Sequence, residues 1–385
     1  MKCTNGNMKH LLHFIILSVL FLCQTTLYAQ QEFTEVATLP EELSETSGLL
    51  YLNGRLITHN DSGNEALLYE FDTTTGELLR RVEVNNATNI DWEDITQDEQ
   101  FIYVGDFGNN KGDRRDLVIY KIAKSAFLNQ NQVSASRISF SYEDQVDFST
   151  MPNSDWDAEA LFSIGEYLYI LTKEWQSQRT SIYQLSKEEG QTTAVKVEEF
   201  NSRGLVTGAT FIENSNQLVI VGYSLLLQPF ILMVNQVPES PPFLSDANKQ
   251  ELEILPLQVE SVASDGAQVY FTNEDFFNSS FGIRSPARLF FFDLSLPNEP
   301  RPEAQETDLL LYSRYGSAFL NYQSYPENEP PIGYVIYDSS GREIRIEQTV
   351  SSTSGSIDVS TLASGIYHAR FFYLGRELTQ SFLKL

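Results

Sequence analysis

The stretch DAEALFSIGEYLYILTKE, residues 157–174, is the clearest copy of a pattern that runs through the first 300 residues. It starts with small and acidic residues, enters an apolar and aromatic run, passes a Gly-Glu turn and continues into a second apolar run with a polar end. Another short apolar run, SIYQL at residues 181–185, follows. Short apolar runs bounded by turn residues are typical of antiparallel β-strands.

Four more segments follow the same plan. They are SETSGLLYLNGRLITHND (44–61), DWEDITQDEQFIYVGDF (91–107), VTGATFIENSNQLVIVGYS (206–224) and VESVASDGAQVYFTNED (259–275). A further strand candidate follows every copy except the last, and residues 33–39 form a spare strand for that copy. Four-stranded repeats of about 50 residues indicate an all-β protein with a β-propeller over residues 30–295. We count five blades; six would also fit this length, and a β-sandwich is the alternative.

The composition excludes several classes of protein. The 385 residues contain 26 Lys and Arg against 52 Asp and Glu, a net charge of −26, which disfavours binding to nucleic acid or anionic lipid. With 42% hydrophobic and 12% aromatic residues, the chain can bury a large core, so we do not expect a disordered protein. Cys3 and Cys23 are its two cysteines, and both lie in the first 29 residues.

The N-terminus predicts export. Lys2 and Lys9 precede an apolar run at residues 11–23, and a short polar stretch then ends at Ala29. This layout is typical of a secretory signal peptide, residues 1–29. The apolar run is too short to be a comfortable membrane anchor, and no other segment reaches about 20 apolar residues. Cys23 raises the alternative of a lipoprotein, against which the large Leu22 argues. We expect a protein that crosses the periplasm and has no transmembrane segment after signal removal.

Acidic residues recur in register in these repeats. The alignment places Glu93, Glu159 and Glu260 at one position of the inner strands, with Ser47 and Gly208 in the same position of the other two copies. Asp91 and Asp157 lie two residues earlier, on the same side of their strands. Carboxylates that converge on one channel need a cation, and oxygen ligands favour calcium over magnesium. The predicted metal ligands are Asp91, Glu93, Asp106, Glu159, Glu174, Glu260 and Glu274.

Other polar and aromatic residues fall near the same predicted face. The candidate ligand-binding residues are His59, Asn60, Asp61, Trp92, Trp156 and Trp175. The three indoles are suited either to stacking on sugars or to packing between blades. Beyond the signal peptide the histidines are His59 and His368, and no GxSxG sequence accompanies them, which argues against a serine hydrolase. The sequence leaves open whether the protein is an enzyme.

Most of residues 40–295 resembles a group of secreted β-propellers related to the SdiA-regulated and esterase-like phytase domains. The residues that carry the resemblance are ETSG (45–48), THNDSG (58–63), DWEDI (91–95) and YVGDFGNN (103–110). The resemblance implies a calcium-containing propeller and phosphoester hydrolysis. Phytase sites hold phosphate with Lys and Arg, whereas the recurring positions here are acidic, with Lys173 and Arg114 as the basic residues near the predicted face.

The C-terminal residues 306–385 differ in composition and follow a Pro-Glu linker at residues 296–305. They contain short strand candidates separated by Ser and Gly turns and resemble the type A C-terminal sorting domain of type IX secretion cargo. The matching residues are Tyr337-Asp338, Gly341-Arg342, Ile357-Asp358-Val359-Ser360, Leu362, Gly365-Ile366-Tyr367 and Phe382-Leu383-Lys384. The resemblance implies a small Ig-like β-sandwich that engages the type IX secretion machinery. An ordinary Ig-like adhesive module is the alternative.

Together these features predict a secreted or cell-surface cargo of the type IX system. We expect its propeller to bind an unknown extracellular ligand with the help of a calcium ion. The alternative is a metal-dependent hydrolase, phosphoesterase or phytase-like, with its site at the mouth of the propeller channel.

Overall fold

The structure is a computed structural model that describes residues 33–252, 257–278, 283–294, 309–312, 318–324, 330–339, 341–347, 352–373 and 376–384. The predicted signal peptide and the predicted linker lie outside these residues. The described chain is almost entirely β, which confirms the predicted fold class. Its helical segments are α1 (Lys124–Asn129) and two single turns of 3-10 helix at Glu41–Leu43 and Glu213–Ser215.

The first 294 residues contain 23 strands in the described ranges. In chain order they are β1 (Thr34–Thr38), β2 (Thr46–Leu52), β3 (Arg55–Asn60), β4 (Leu67–Asp72), β5 (Leu78–Val84), β6 (Trp92–Gln97), β7 (Phe101–Asp106), β8 (Val118–Ala123), β9 (Gln132–Val133), β10 (Ser136–Tyr142), β11 (Ala158–Ile164), β12 (Tyr167–Thr172), β13 (Thr180–Ser186), β14 (Gly190–Phe200), β15 (Leu205–Ile212), β16 (Gln217–Tyr223), β17 (Pro229–Asn235), β18 (Asn248–Glu251), β19 (Val259–Ser264), β20 (Gln268–Asn273), β21 (Phe276–Asn278), β22 (Ile283–Ser285) and β23 (Arg288–Asp293).

These strands form five four-stranded antiparallel units that follow the five sequence repeats. The units are β2-β3-β4-β5, β6-β7-β8-β10, β11-β12-β13-β14, β15-β16-β17-β18 and β19-β20-β23-β1. We call them blades one to five. Strand β9 extends blade one, and β21 and β22 form a separate hairpin. Strands β10 and β14 pair in parallel, so the outer edges of blades two and three join into one eight-stranded sheet.

The N-terminal strand closes the ring. Strand β1 pairs antiparallel with β23, so the spare strand at residues 33–39 becomes the outer strand of blade five. Because the first and last parts of the propeller then share one sheet, the ring cannot open without breaking that ladder. The inner strands β2, β6, β11, β15 and β19 each contact the next, and β19 returns to β2.

The core lies between the blades as five apolar clusters. Each cluster combines buried side chains of two neighbouring blades. The seam between blades five and one contains Leu49 and Phe71 from blade one with Tyr270 and Leu289 from blade five. Burying one such side chain contributes about 1.5–3 kcal/mol, so the packing of these seams is a main source of the stability of the ring.

The C-terminal strands form a separate pair of sheets. They are β24 (Leu309–Tyr312), β25 (Phe319–Ser324), β26 (Gly333–Asp338), β27 (Glu343–Glu347), β28 (Ser354–Asp358), β29 (Gly365–Tyr373) and β30 (Arg376–Lys384). Three of them pair in the order β24-β25-β28 and the other four in the order β27-β26-β29-β30. Leu320 of the first sheet and Phe371 of the second belong to one buried cluster. The tail therefore has its own core.

Candidate metal centre

Each inner strand carries a β-bulge at the same place. The pairing of the inner strand with the second strand of its blade skips one residue in every blade. The skipped residues are Gly48, Glu93, Glu159, Thr207 and Glu260. A bulge leaves its extra residue outside the ladder and redirects the side chain. Three of the five blades therefore place a glutamate at one equivalent position of the ring.

This register confirms that the three glutamates are equivalent and corrects the other two positions of the sequence alignment. Gly48 takes the position that the alignment gave to Ser47, and Thr207 takes that of Gly208. The one-residue error arises because a bulge adds a residue without changing the apolar pattern on which the alignment rests. Ser47 donates instead to the carbonyl oxygen of Glu93, at 2.6 Å.

Two groups of carboxylates meet beside these bulges. In the first, oxygen atoms of Asp61, Asp91 and Glu93 lie within 4.8 Å of one another, and in the second the same holds for Glu93, Asp157 and Glu159. Asp61 follows β3, whereas Asp91 and Asp157 lie immediately before β6 and β11. Both groups consist only of oxygen donors, which suit a hard divalent cation.

The loop after β7 lies against both carboxylate groups. A Cβ atom at Gly108 would lie 2.0 Å from Oε1 of Glu93 and 2.5 Å from Oδ2 of Asp91. Glycine is thus required here for the two carboxylates to approach the backbone. The next residue, Asn109, donates its backbone N–H to Oδ1 of Asp157 at 2.7 Å, and the indole N–H of Trp175 donates to Oδ2 at 2.8 Å.

Lys173 brings one positive charge into the channel. Its Nζ lies 3.0 Å from Oε1 of Glu159, and both side chains are buried. The same ammonium lies 4.9 Å from the centroid of the Trp175 ring and 5.5 Å from that of Tyr223. Burial opposes the charge, but Glu159 and its neighbours hold the pKa of Lys173 well above its usual value. The lysine is therefore a permanent cation in the channel.

The electrostatics of the carboxylates favour neutralisation. Burial, followed by repulsion from Asp61 and Asp157, raises the pKa of Asp91 to about 7. Burial and neighbouring carboxylates also raise the pKa values of Glu93 and Glu159 well above the usual range. Because close carboxylates in a poorly solvated site cannot all stay ionised alone, the site takes up either protons or a cation.

Glu260 and Glu274 lie near these groups but outside the two triads. Burial raises the pKa of Glu260 to about 8 and that of Glu274 to about 7, while Lys173 acts in the opposite direction on both. Tyr223 hydrogen-bonds to Glu260, yet Oε2 of Glu260 is buried with no partner among the described residues. An acceptor in this state is ready to receive a proton or a ligand.

Asp106 and Glu174 are predicted metal ligands that lie outside both carboxylate groups and have other partners in the structure. Asp106 forms a 2.8 Å ion pair with Arg114 and accepts the backbone N–H of Asp91. Glu174 accepts hydroxyl groups of the β12–β13 region. Its donors are Thr172 at 3.0 Å, Ser181 at 2.8 Å and Ser177 at 2.5 Å. Both carboxylates are placed to hold loops at the channel end.

The predicted ligand-binding residues divide into buried and half-buried ones. His59 and Trp92 are fully buried and pack edge to face at 5.5 Å, so their rings belong to the interior. Burial lowers the pKa of His59 to about 4, which keeps the imidazole neutral. Trp156 and Trp175 are half-buried.

Asn60 and Asp61 continue from His59 at the end of β3. The side-chain amide of Asn60 donates to the carbonyl oxygen of Glu42 at 2.8 Å. Asp61 is half-buried and joins the first carboxylate group, so its position fits a metal ligand as well as a contact to a bound molecule.

Asp94 is a central residue that the sequence analysis did not identify. It is fully buried and accepts backbone N–H groups from three inner strands. The donors are Ile95 at 2.8 Å, Leu161 at 2.7 Å and Ala209 at 3.3 Å. One carboxylate thus ties blades two, three and four together at the axis. Its sequence signal is weak, because the equivalent position of the other repeats is not acidic.

Comparison with known proteins identifies the tail. Residues 320–383 match the secretion system C-terminal sorting domain family, which confirms the predicted sorting function of this region. The protein is accordingly type IX secretion cargo, secreted or held at the cell surface. Among the described residues, no helix has the length and apolar character needed to cross a membrane. No curated protein matches the chain.

Similarity to solved structures is distant. A luciferin-regenerating enzyme is 13% identical over 68% of this chain and 95% of its own, with a TM-score of 0.38. An alpha-L-arabinofuranosidase from Podospora anserina, solved with cellotriose, is 7% identical over 69% and 96%, with a TM-score of 0.39. The Pan2 WD40 domain from Neurospora crassa is 8% identical over 89% and 82%, with a TM-score of 0.31.

Proposed function

We propose that the propeller of this exported protein binds an extracellular ligand and that a calcium ion in its channel takes part. The observation that carries the proposal is the meeting of two carboxylate groups, with the buried Lys173 paired to Glu159. The donors are all oxygens, and the ring offers several of them from different blades. Calcium accepts six to eight oxygen ligands in flexible geometry, so it fits such a set better than magnesium does.

The position of the carboxylates supports a role in ligand binding. Asp61 and Asp91 are half-buried, whereas Glu93 and Asp157 are buried. A cation held between them is reached from the side of Asp61 and Asp91, where an external ligand can complete its coordination. The half-buried Trp175 donates its indole N–H to Asp157, so an aromatic side chain also borders the buried carboxylates.

A calcium titration of the chelator-treated protein tests the proposal. A cation that binds only the folded state raises its stability by about 2.7 kcal/mol at a free concentration of 100 times Kd. We expect the melting temperature to rise with calcium and to rise less with magnesium at the same concentration. A melting temperature that does not respond to calcium would contradict the proposal.

Gly108→Ala links this binding to the observed site. The added methyl group overlaps the Glu93 and Asp91 carboxylates, which are side-chain ends that can move without unfolding the strands. We expect at least a tenfold loss of calcium affinity with an intact fold by circular dichroism. Gly365→Ala in the tail, where a Cβ has only ordinary contacts, is the matched control. Equal calcium affinity in both variants would place the ion elsewhere.

A metal-dependent hydrolase, phosphoesterase or phytase-like, is the second candidate. The accessible side of Asp61 and Asp91 favours it, because a catalytic metal needs an open coordination position. The cations nearby are less favourable, since Arg114 is paired with Asp106 and Lys173 with Glu159. Calcium-dependent hydrolysis of a phosphomonoester that is lost in Glu93→Gln would support this function, and calcium binding without turnover would support the first proposal.

A further inference from the structure

The two carboxylate groups are separate and have one member in common. Glu93 belongs to both, whereas Asp61 and Asp91 belong only to the first and Asp157 and Glu159 only to the second. Two oxygens on one calcium ion lie no more than about 5 Å apart, because each Ca–O distance is about 2.3–2.6 Å. Each group meets that limit by itself. A carboxylate has two oxygens, so Glu93 can serve one ion on each side.

The charges of the site fit two ions. Five carboxylates contribute five negative charges when ionised, and Lys173 compensates one of them through Glu159. Four negative charges are then left in the two groups, which two divalent cations neutralise, and Glu260 and Glu274 beside the groups add up to two more when ionised. A single divalent cation would leave two charges uncompensated in a poorly solvated channel, which is costly.

Two further observations point to occupancy of this channel. Oε2 of Glu260 is buried and without a partner among the described residues, and Glu260 occupies the bulge position equivalent to Glu93 and Glu159. Glu260 lies near enough to Glu159, a member of the second group, to raise its pKa, so the ring presents an unused acceptor close to that group. Because Gly108 has no side chain, the Glu93 carboxylate can lie against its backbone, and the Cβ atom of any other residue would occupy that space.

We propose that the channel holds two divalent cations bridged by the carboxylate of Glu93. The first ion is bound by Asp61, Asp91 and Glu93, and the second by Glu93, Asp157 and Glu159. The first faces the half-buried entrance, so it is the one that meets an external ligand. The second lies among buried residues and joins blades two and three. This inference rests on the proposed cation binding and specifies its stoichiometry.

The number of calcium ions bound by the full mature chain tests the proposal. The protein is stripped with a chelator, titrated calorimetrically with calcium chloride, and analysed for metal content after removal of free ion. We expect two ions per chain in the unmodified protein and one in Asp61→Asn or in Asp157→Asn. Glu93→Gln should weaken both sites at least tenfold. Asp147→Asn, at an exposed position, is the matched control and should keep two ions.

The outcomes separate this inference from the proposal on which it rests. One ion per chain, lost alike in Asp61→Asn and Asp157→Asn, means a single shared site, which overturns the bridge but keeps cation binding. One ion that only one of these variants loses overturns it as well. No calcium binding in the unmodified protein contradicts both proposals.

A folding control keeps the test decisive. Asp61→Asn removes a carboxylate that repels its neighbours, so its cation-free form should melt no lower than the cation-free parent. Asp157→Asn turns its NH₂ group toward the N–H of Asn109 or Trp175, so its cation-free form should melt lower, and its metal content is measured below that melting temperature. If Asp61→Asn does not fold, Asp91→Asn removes a ligand of the same ion and takes its place. Two ions retained in Asp91→Asn would overturn the assignment of the first site.

Discussion

Replacement of Asp94 by Asn should destabilise the propeller strongly, although it exchanges only one oxygen atom for an NH₂ group. The side chains have nearly the same volume, so the variant creates no cavity. One oxygen of Asp94 accepts the N–H of Ile95, and the other accepts those of Leu161 and Ala209. Whichever way the Asn amide turns, its NH₂ group faces at least one of these backbone N–H groups, which then has no acceptor.

The magnitude follows from the number of donors left unpaired. A buried unsatisfied N–H costs about 1–3 kcal/mol. Asp94→Asn therefore loses about 1–3 kcal/mol if the Ile95 N–H is unpaired and about twice as much if the other two are. Asp94→Ala leaves all three unpaired and should lose about 3–9 kcal/mol, which is comparable with the whole stability of many domains.

Equilibrium unfolding in urea, followed by tryptophan fluorescence, measures this loss. The buried Trp92 reports on the seam between blades one and two. Asp147→Asn is the control, because it makes the same side-chain exchange in an exposed loop and should change the unfolding free energy by less than about 0.5 kcal/mol. An Asp94→Asn protein whose unfolding free energy lies within about 0.5 kcal/mol of the parent's would refute the role of this carboxylate in joining the three blades.

Two further predictions concern pH and export. The folded-state pKa values of Asp91, Glu260 and Glu274, about 7, 8 and 7, lie above those of free carboxyl groups. Their protonated forms therefore stabilise the folded state at low pH, and this contribution is lost as pH rises through 7 to 8. Above about pH 7.5, one unit over the ordinary imidazole pKa of 6.5, His59 is mostly neutral in both the folded and the unfolded state. From there the cation-free melting temperature should fall toward pH 8.5, and calcium should restore it. A flat or rising profile in scanning calorimetry would contradict the assignment. Removal of residues 321–385, nearly the whole region matched by the sorting family, should retain the protein in the periplasm. Cell fractionation checks this, and normal surface delivery of the truncated chain would refute it.

Much of the fold could be predicted because blades repeat. Five copies of one strand pattern, with a spare N-terminal strand, anticipate the five units and the pairing of β1 with β23. The bulges could not be predicted, since an extra residue in a strand leaves its apolar pattern intact. That is why Ser47 and Gly208 were aligned one residue away from the positions that Gly48 and Thr207 occupy.

The sequence predicted the kind of site, a cluster of carboxylates, better than it predicted which residues form it. Register along the chain pointed to Glu93 and Glu159, which do meet in the channel. It could not show that Arg114 pairs with Asp106, because that contact depends on how a loop folds back. The repeat alignment also missed that Asp94 joins three blades, because an alignment detects residues that recur and an aspartate occurs at this position in one blade.

The parallel pairing of β10 with β14 has a mechanical consequence for the channel. Blades two and three share a continuous sheet through the five residue pairs of β10 and β14. Blades one and two are joined by a ladder of two residue pairs, between β5 and the β9 strand of the β8–β10 connection, and the other three seams have no β-ladder in the described residues. Glu93 and Glu159 start from the two ends of the continuous sheet, and Asp157 adjoins one of them. The second carboxylate group is thus carried by one continuous sheet, while the first group spans the seam to Asp61 on blade one. Small opening motions at that seam would move the ligands of the first group apart and leave those of the second group in register.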